Sequence, residues 1–240
     1  MNDPLQNHSK ERALKHIMAS RDRSKADFGT RFDMNDTLRV YSINNSTSLP
    51  SSMLRLIEAT KQTPYGHIMG RPEVLSLNML LMRTLNARKV LDIGVFTGLS
   101  ALAAAICIPD TGRVIALDHS ENYIPVAGVE HKITLKIAPA AQSLKELLAF
   151  PGEEGTYDFA FVDADKESYL EYFELTLRLL RRGGIIAFDN VLWSGAVANP
   201  DPQDRATCTL VKLNDTLAKD PRVLTSLVNI GDGLLLAHKL

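Results

Sequence analysis

From residue 88 onward the chain alternates short apolar runs with amphipathic ones, the pattern of a parallel sheet covered by helices. Lys89 to Ile93 reads as a first strand, stopped by Gly94, and Leu99 to Ile108 as a helix stopped before Pro109. Arg113 to Leu117 is a second strand, Ile133 to Ile137 a third, Ser143 to Phe150 a helix and Asp158 to Val162 a fourth strand. Tyr169, Leu170, Phe173, Leu177 and Leu180 recur at three- and four-residue spacing, which predicts a helix over Lys166 to Arg182 ended by Gly183-Gly184. A fifth strand, Gly184 to Phe188, follows at once. Residues 191–203, with Gly195, Pro200 and Pro202, read as a loop over the carboxyl edge of the sheet, before a helix near Arg205 to Ala218. Val223 to Asn229 and Gly233 to Lys239 close the chain as two strands of a hairpin, turned at Gly231-Asp232-Gly233. The segment 35–86 is mostly helical in pattern and short of strand signals, so a helical cap is expected on the same domain.

At 240 residues and 45% hydrophobic content, the chain can bury a full core, and its length fits one large α/β domain over 35–240. The 27 Lys and Arg nearly cancel the 28 Asp and Glu, so composition offers no basic surface for nucleic acid. A small molecule is the expected partner. Two cysteines, Cys107 in an apolar helical run and Cys208 far from it, argue for packing roles and a reducing, cytoplasmic setting rather than a disulfide framework. The longest apolar run, Ala101 to Pro109, is far short of the roughly 20 residues a membrane span needs. Residues 1–34 mix basic and acidic positions and lack the apolar core of a secretory signal, so a flexible, solvated arm is expected. Leu14, Ile17 and Met18 lie at helical spacing against a basic face, which leaves an organelle-targeting segment open, although Asp3, Glu11, Asp22 and Asp27 weaken it.

Two aspartate motifs carry the strongest chemical signal. Asp163-Ala164-Asp165-Lys166 follows the apolar run Phe159 to Val162, and Asp189-Asn190 follows Gly184 to Phe188. In an open α/β sheet the carboxyl ends of the strands form the ligand-binding edge, and adjacent strands lie about 4.8 Å apart, so acids ending neighbouring strands converge. Oxygen ligands without Cys or His suit Mg²⁺ above all, with Ca²⁺ or Mn²⁺ as alternatives, rather than zinc. A second signal is Asp92-Ile93-Gly94-Val95-Phe96-Thr97-Gly98-Leu99-Ser100, a strand, a glycine-bearing turn and a helix start, where free backbone amides meet a ligand. The Gly-x-Gly-x-x-Gly of a dinucleotide fold is absent, which disfavours an NAD-dependent oxidoreductase. Asp118, ending strand two, can accept the hydroxyls of a ribose, or can instead cap a following helix.

Together, Leu91 to Gly98, Ala127-Gly128-Val129-Glu130-His131-Lys132-Ile133, Phe161 to Lys166 and Asp189-Asn190-Val191-Leu192-Trp193 resemble the cation-dependent O-methyltransferases of the caffeoyl-CoA and catechol type, from about residue 50 to the C-terminus. The resemblance implies S-adenosylmethionine as methyl donor, a divalent metal, a doubly wound, mostly parallel sheet of seven strands, and a homodimer. It further implies that Asp92, where the family often has glutamate, with Gly94, Val95 and Ser100, holds the methionine end of the cofactor. Asp118 would bind the ribose, Ala140 would lie by the adenine, and Asp165 would contact the cofactor near the metal. Asp163, Asp189 and Asn190 would be the metal ligands.

Methyl transfer to a phenol needs an oxygen made nucleophilic, aligned with the sulfonium methyl and shielded from water. A cation binding two vicinal hydroxyls of a catechol-like small molecule lowers the pKa of one and fixes its direction. By resemblance Lys166 is the proton acceptor, a role that needs a depressed pKa; the alternative is a solvated lysine or a salt bridge at a helix start. Trp193, the only tryptophan, either walls an aromatic substrate or packs under its loop, and Ser194 stands where plant relatives often carry a substrate-contacting asparagine. His67 and His131 lack partners at suggestive spacing and read as structural. One departure supports a rival reading, a cofactor-binding paralogue with impaired catalysis. Nine positions separate Asp118 from Ala127, where the family has roughly sixteen, so much of the helix after strand two is missing.

Overall fold

The structure, a computed structural model, describes residues 37–124 and 128–240. The expectations for the arm 1–34, and for Pro125, Val126 and Ala127, lie outside the described residues. Three helices come first: α1 (Thr37–Asn44), α2 (Ser51–Lys61) and α3 (Pro72–Thr84), with a 3₁₀ turn at Gly66–Ile68. Pro72 opens α3, where its missing amide costs no helical bond. Then follow β1 (Lys89–Ile93), α4 (Leu99–Cys107), β2 (Arg113–Asp118), β3 (Ile133–Ile137), α5 (Ala140–Ala149), β4 (Tyr157–Val162), α6 (Tyr169–Leu179), β5 (Leu180–Asp189), α7 (Arg205–Leu217), β6 (Val223–Val228) and β7 (Leu234–Lys239).

The seven strands form one sheet in the order β3-β2-β1-β4-β5-β7-β6. All neighbours from β3 to β5 are parallel, and β7 runs antiparallel to both β5 and β6, as the predicted hairpin requires. Side chains alternate across the pleat and build two core layers. Leu91, Ile93, Val162 and Phe188 pack with α5, α6 and α7, whereas Val90, Val114, Phe159 and Phe161 pack with α3 and α4. The alanines of α4, Ala101, Ala104 and Ala105, let that helix lie close to the sheet. Strand order reverses between β1 and β4, and the crevice at their carboxyl ends is where an open α/β sheet binds ligands. At the opposite, amino end, Glu153 gathers Lys89 (2.7 Å), Arg113 (2.8 Å) and the Tyr157 hydroxyl (2.6 Å) into a clasp remote from that crevice.

The helix predicted over Lys166 to Arg182 is shorter than expected. Lys166–Ser168 is a 3₁₀ turn, α6 ends at Leu179, and Leu180 already belongs to β5. Gly183 and Gly184 lie inside a bulge rather than ending the helix: Leu180 pairs with Tyr157 and Ile185 with Phe159, so the intervening residues of β5 are extruded. A Cβ on Gly184 would sit 2.9 Å from the Asp158 carbonyl oxygen, which explains glycine there. The helix predicted over Ser143 to Phe150 starts three residues earlier, at Ala140.

Candidate active site

Two of the sequence motifs, the turn after β1 and the acids after β4 and β5, meet at the β1–β4 crevice. The turn after β1 presses against the end of β4: the Asp163 amide donates to the Ile93 carbonyl (2.8 Å), and a Cβ on Gly94, at φ 90°, would lie 2.0 Å from the Asp163 carbonyl oxygen. Only glycine fits there, because both the space and the positive φ exclude a side chain. Gly98, at φ 102°, then turns the chain into α4, and the Leu102 amide is the helix's first to reach a carbonyl of that turn, at Gly98. The amides before it are those a helix N-terminus leaves without intrahelical partners, the groups that bind polar ligands at such ends.

Asp92 is 1% exposed and accepts the Ser100 hydroxyl at Oδ2 (2.8 Å), while its Oδ1 has no hydrogen-bond partner. Burial pushes its pKa up to about 8; the Ser100 bond opposes this, and the nearby Asp163 and Asp118 charges add to it. A buried, half-satisfied carboxyl of this kind suits a cationic ligand group that donates to Oδ1. Beside it lies a cavity of about 10 Å³ lined by Asn78, Asp92 and Ser100 among apolar side chains, and the Asn78 amide is likewise without a partner. That volume is close to the minimum that holds one water.

Asp118 does more than sequence reading anticipated. Its Oδ2 accepts the amides of Val95 (2.7 Å) and Phe96 (2.8 Å), and its Oδ1 accepts the Ser120 amide (2.9 Å). The carboxylate therefore pins the β1 turn to the end of β2, and His119 Nδ1 lies 3.4 Å from Oδ1. No helix follows among the described residues 119–124, so it caps none. Ala140, at the start of α5, lies at the same edge, beyond β3.

The acidic half forms as predicted at adjacent strand ends. Asp163 follows β4 and Asp189 ends β5, its neighbour; Asp189 and Asn190 are almost fully buried. Asn190 sits at φ 61°, a strained left-handed conformation for a residue other than glycine. Lys166 is 8% exposed, and its Nζ donates to Asp163 Oδ1 (2.9 Å) and the Tyr169 hydroxyl (2.6 Å). It is thus not solvated but salt-bridged to Asp163 (2.9 Å), while Glu167 contacts Arg205. Tyr169 was legible only as a core position. Its hydroxyl lies within hydrogen-bond distance of the carbonyls of Val162 (3.2 Å) and Asp189 (3.1 Å), tying β4 to β5 beneath the acids, and burial raises its pKa well above the ordinary value. The Lys-x-x-Tyr spacing was the available signal. Asp165 is exposed and accepts the Tyr172 hydroxyl, whose pKa is raised by burial and by that bond.

Trp193 is half-buried, with Lys166 Nζ 5.8 Å from its ring, and Ser194 is exposed; both have positive φ (48° and 53°) in the turn Trp193–Ala198. His67 and His131 are exposed. Among the described residues no three His, Cys, Asp or Glu side chains cluster as a metal site. The oxygen-bearing residues that follow or end these two strands are Asp163, Asp189 and Asn190, hard donor types that suit Mg²⁺ or Ca²⁺.

Comparison with known proteins identifies the family. A family model described as O-methyltransferase matches residues 43–240. A probable caffeoyl-CoA O-methyltransferase 2 of Dictyostelium discoideum is 45% identical, covering 89% of this chain and 96% of its own length. The flavonoid 3',5'-methyltransferase of Vitis vinifera is 45% identical over 77% of this chain and 85% of its own. Among solved structures, the O-methyltransferase TomG from Streptomyces achromogenes, in complex with SAM, superposes with a TM-score of 0.76 at 26% identity, covering 86% of this chain and 97% of that one. The chain belongs to the O-methyltransferase family and is an enzyme dependent on S-adenosylmethionine.

Proposed function

We propose that the enzyme methylates a catechol-like hydroxyl of a small molecule with the help of a divalent cation, Mg²⁺ first among the candidates. The observation that carries this reading is the junction at β4 and β5, where Asp163, Asp189 and Asn190 stand beside a buried lysine hydrogen-bonded to Asp163. S-adenosylmethionine supplies an electrophilic methyl on its sulfonium. A cation held by Asp163, Asp189 and Asn190 would supply Lewis acidity that lowers the pKa of a phenolic hydroxyl.

The remaining work falls to this chain's residues. Asp92 and Ser100, with the backbone at Gly94 and Val95, bind the methionine end, because the unpartnered Asp92 Oδ1 matches an ammonium donor. Asp118 orients the ribose through Oδ1 while its Oδ2 holds the turn, Ala140 borders the adenine, and Asp165 contacts the cofactor with Tyr172 steadying it. Lys166 accepts the hydroxyl proton at Nζ, positioned by Asp163 and Tyr169. Trp193 and Ser194 wall the acceptor and exclude water. We further propose that residues 35–240 act as a single domain, that the enzyme is a cytoplasmic homodimer, and that nucleic acid is not a partner. Among the described residues no helix is long and apolar enough to cross a membrane. The testing experiment is a methyl-transfer assay with S-adenosylmethionine and a panel of phenols with and without adjacent hydroxyls. Transfer confined to the vicinal diols is expected, and equal transfer to monophenols would overturn the catechol assignment.

A further inference from the structure

The hairpin turn between β6 and β7 reaches the active-site loop, although nothing in the proposed chemistry requires it. The Val191 amide donates to the Gly233 carbonyl (3.1 Å) and the Leu192 amide to the Asp232 carbonyl (2.9 Å). The Ser194 amide donates to Asp232 Oδ1 at 2.6 Å. A Cβ on Gly233 would lie 2.4 Å from Leu192 Cγ, so the hairpin packs directly against the loop. The segment held in this way is strained: Asn190, Trp193 and Ser194 all have positive φ, and only Gly195 beside them tolerates it freely. Such a run persists only where its surroundings over-determine it, and here a carboxylate is bound to the amide in the middle of the run. The Trp193 indole is thereby held beside Lys166, whose Nζ is 5.8 Å from it.

We propose that Asp232 is a positioning residue for acceptor specificity: by holding the Ser194 amide it sets the left-handed turn that stands the Trp193 indole beside Lys166. The wall so formed selects a planar aromatic ring carrying adjacent hydroxyls. This inference rests on the acceptor-wall role proposed for Trp193 and Ser194. Release of the Ser194 amide lets the turn relax toward ordinary φ, and the indole then swings away from the lysine. Asp232 reaches the loop through the Ser194 amide it accepts, from a hairpin turn that lies just beyond the Asp189–Leu234 pair.

The single tryptophan makes the test direct, because all indole fluorescence comes from Trp193. Asp232→Ala and Asp232→Asn are compared with the parent in the cofactor-free protein by emission maximum and acrylamide quenching, with circular dichroism as the check on folding. The same proteins are assayed for catechol kinetics and for S-adenosylhomocysteine affinity by calorimetry. Asp232→Ala should red-shift the emission, increase quenching and raise the acceptor KM about tenfold, the equivalent of one lost interaction. Its kcat at saturation and its cofactor affinity should stay near the parent's. Asp232→Asn, whose amide oxygen still accepts from Ser194, should restore most of both effects. Unchanged emission and quenching in Asp232→Ala would overturn the inference, and so would a shifted emission with an unmoved acceptor KM. A parent protein inert toward every catechol would instead defeat the proposed function, and the fluorescence arm would still decide whether Asp232 holds the loop.

Discussion

Asp92 shows at the scale of one residue how a fold prepares for a ligand. Its carboxyl is buried with one oxygen unpartnered, and burial lifts its pKa from 3.8 to about 8. Between those two values the unfolded chain carries the ionised form and the folded chain the protonated one. The unfolded state then binds fewer protons, so this group makes stability fall as pH rises from about 4 to about 8 and level off above. In the cofactor-free protein, Asp92→Asn should remove that slope. Urea midpoints at pH 5, 7 and 8.5 should show the variant gaining on the parent as pH rises, and a difference independent of pH would contradict the assignment. Cofactor binding should suffer in the same variant, because the amide cannot balance an ammonium charge.

Lys166 and Tyr169 form the other residue-scale unit. Lys166→Ala should lower turnover by about 10²–10⁴-fold, the usual cost of losing a general base, with cofactor affinity hardly changed. Tyr169→Phe removes one of the two contacts that hold Nζ and should lower turnover by about tenfold, as loss of one hydrogen bond of roughly 1.4 kcal/mol would. Stopped assays at saturating cofactor measure both. Lost cofactor binding with normal turnover would show that Lys166 is an anchor instead.

Among the elements, the segment after β2 is the departure with consequences. Residues 119–124 form no helix, yet they are tied down: the Ile124 amide donates to the Thr97 carbonyl (3.0 Å), and the Tyr123 ring lies against Gly98, where a Cβ would come within 2.5 Å of it. Up to Ile124 the connection therefore sets an aromatic ring, not a helix, against the turn after β1. A seven-residue helical insert after Tyr123 should strengthen S-adenosylmethionine binding if the missing helix normally flanks the adenine, and calorimetric titration measures it. Equal affinities in the two forms would exclude impaired cofactor binding by this chain. The α6–β5 junction teaches a different point. Periodicity through Leu180 suggested helix, but Leu180 pairs with Tyr157 and the glycines that follow serve a bulge, so tertiary pairing overrode the local pattern.

Across the whole molecule, the sheet and its two core layers were legible because alternating apolar runs and glycine stops are local signals. The acids at Asp163 and Asp189 were legible for the same reason, each ending a readable strand. The ties between distant segments were not: Asp118 to Val95 and Phe96, Tyr169 to Val162 and Asp189, and Asp232 to Ser194 depend on strand order, which no local pattern encodes. The order β3-β2-β1-β4-β5 brings the β1 turn against the β4 acid, so the segments proposed to hold the methyl donor and the acceptor share one edge. Gly94 is where they touch, and Gly94→Ala should impair both halves at once, read as joint loss of cofactor affinity and turnover.

The most direct measurement is methyl transfer from S-adenosylmethionine to a catechol, run with the parent protein in excess chelator, again after Mg²⁺ is restored, and with Asp163→Ala at saturating Mg²⁺. The expected result is loss of activity in chelator, recovery with Mg²⁺, and an Asp163→Ala protein that is folded but inactive. Undiminished transfer in excess chelator, or full activity in Asp163→Ala, would contradict cation-assisted catalysis at the β4–β5 edge.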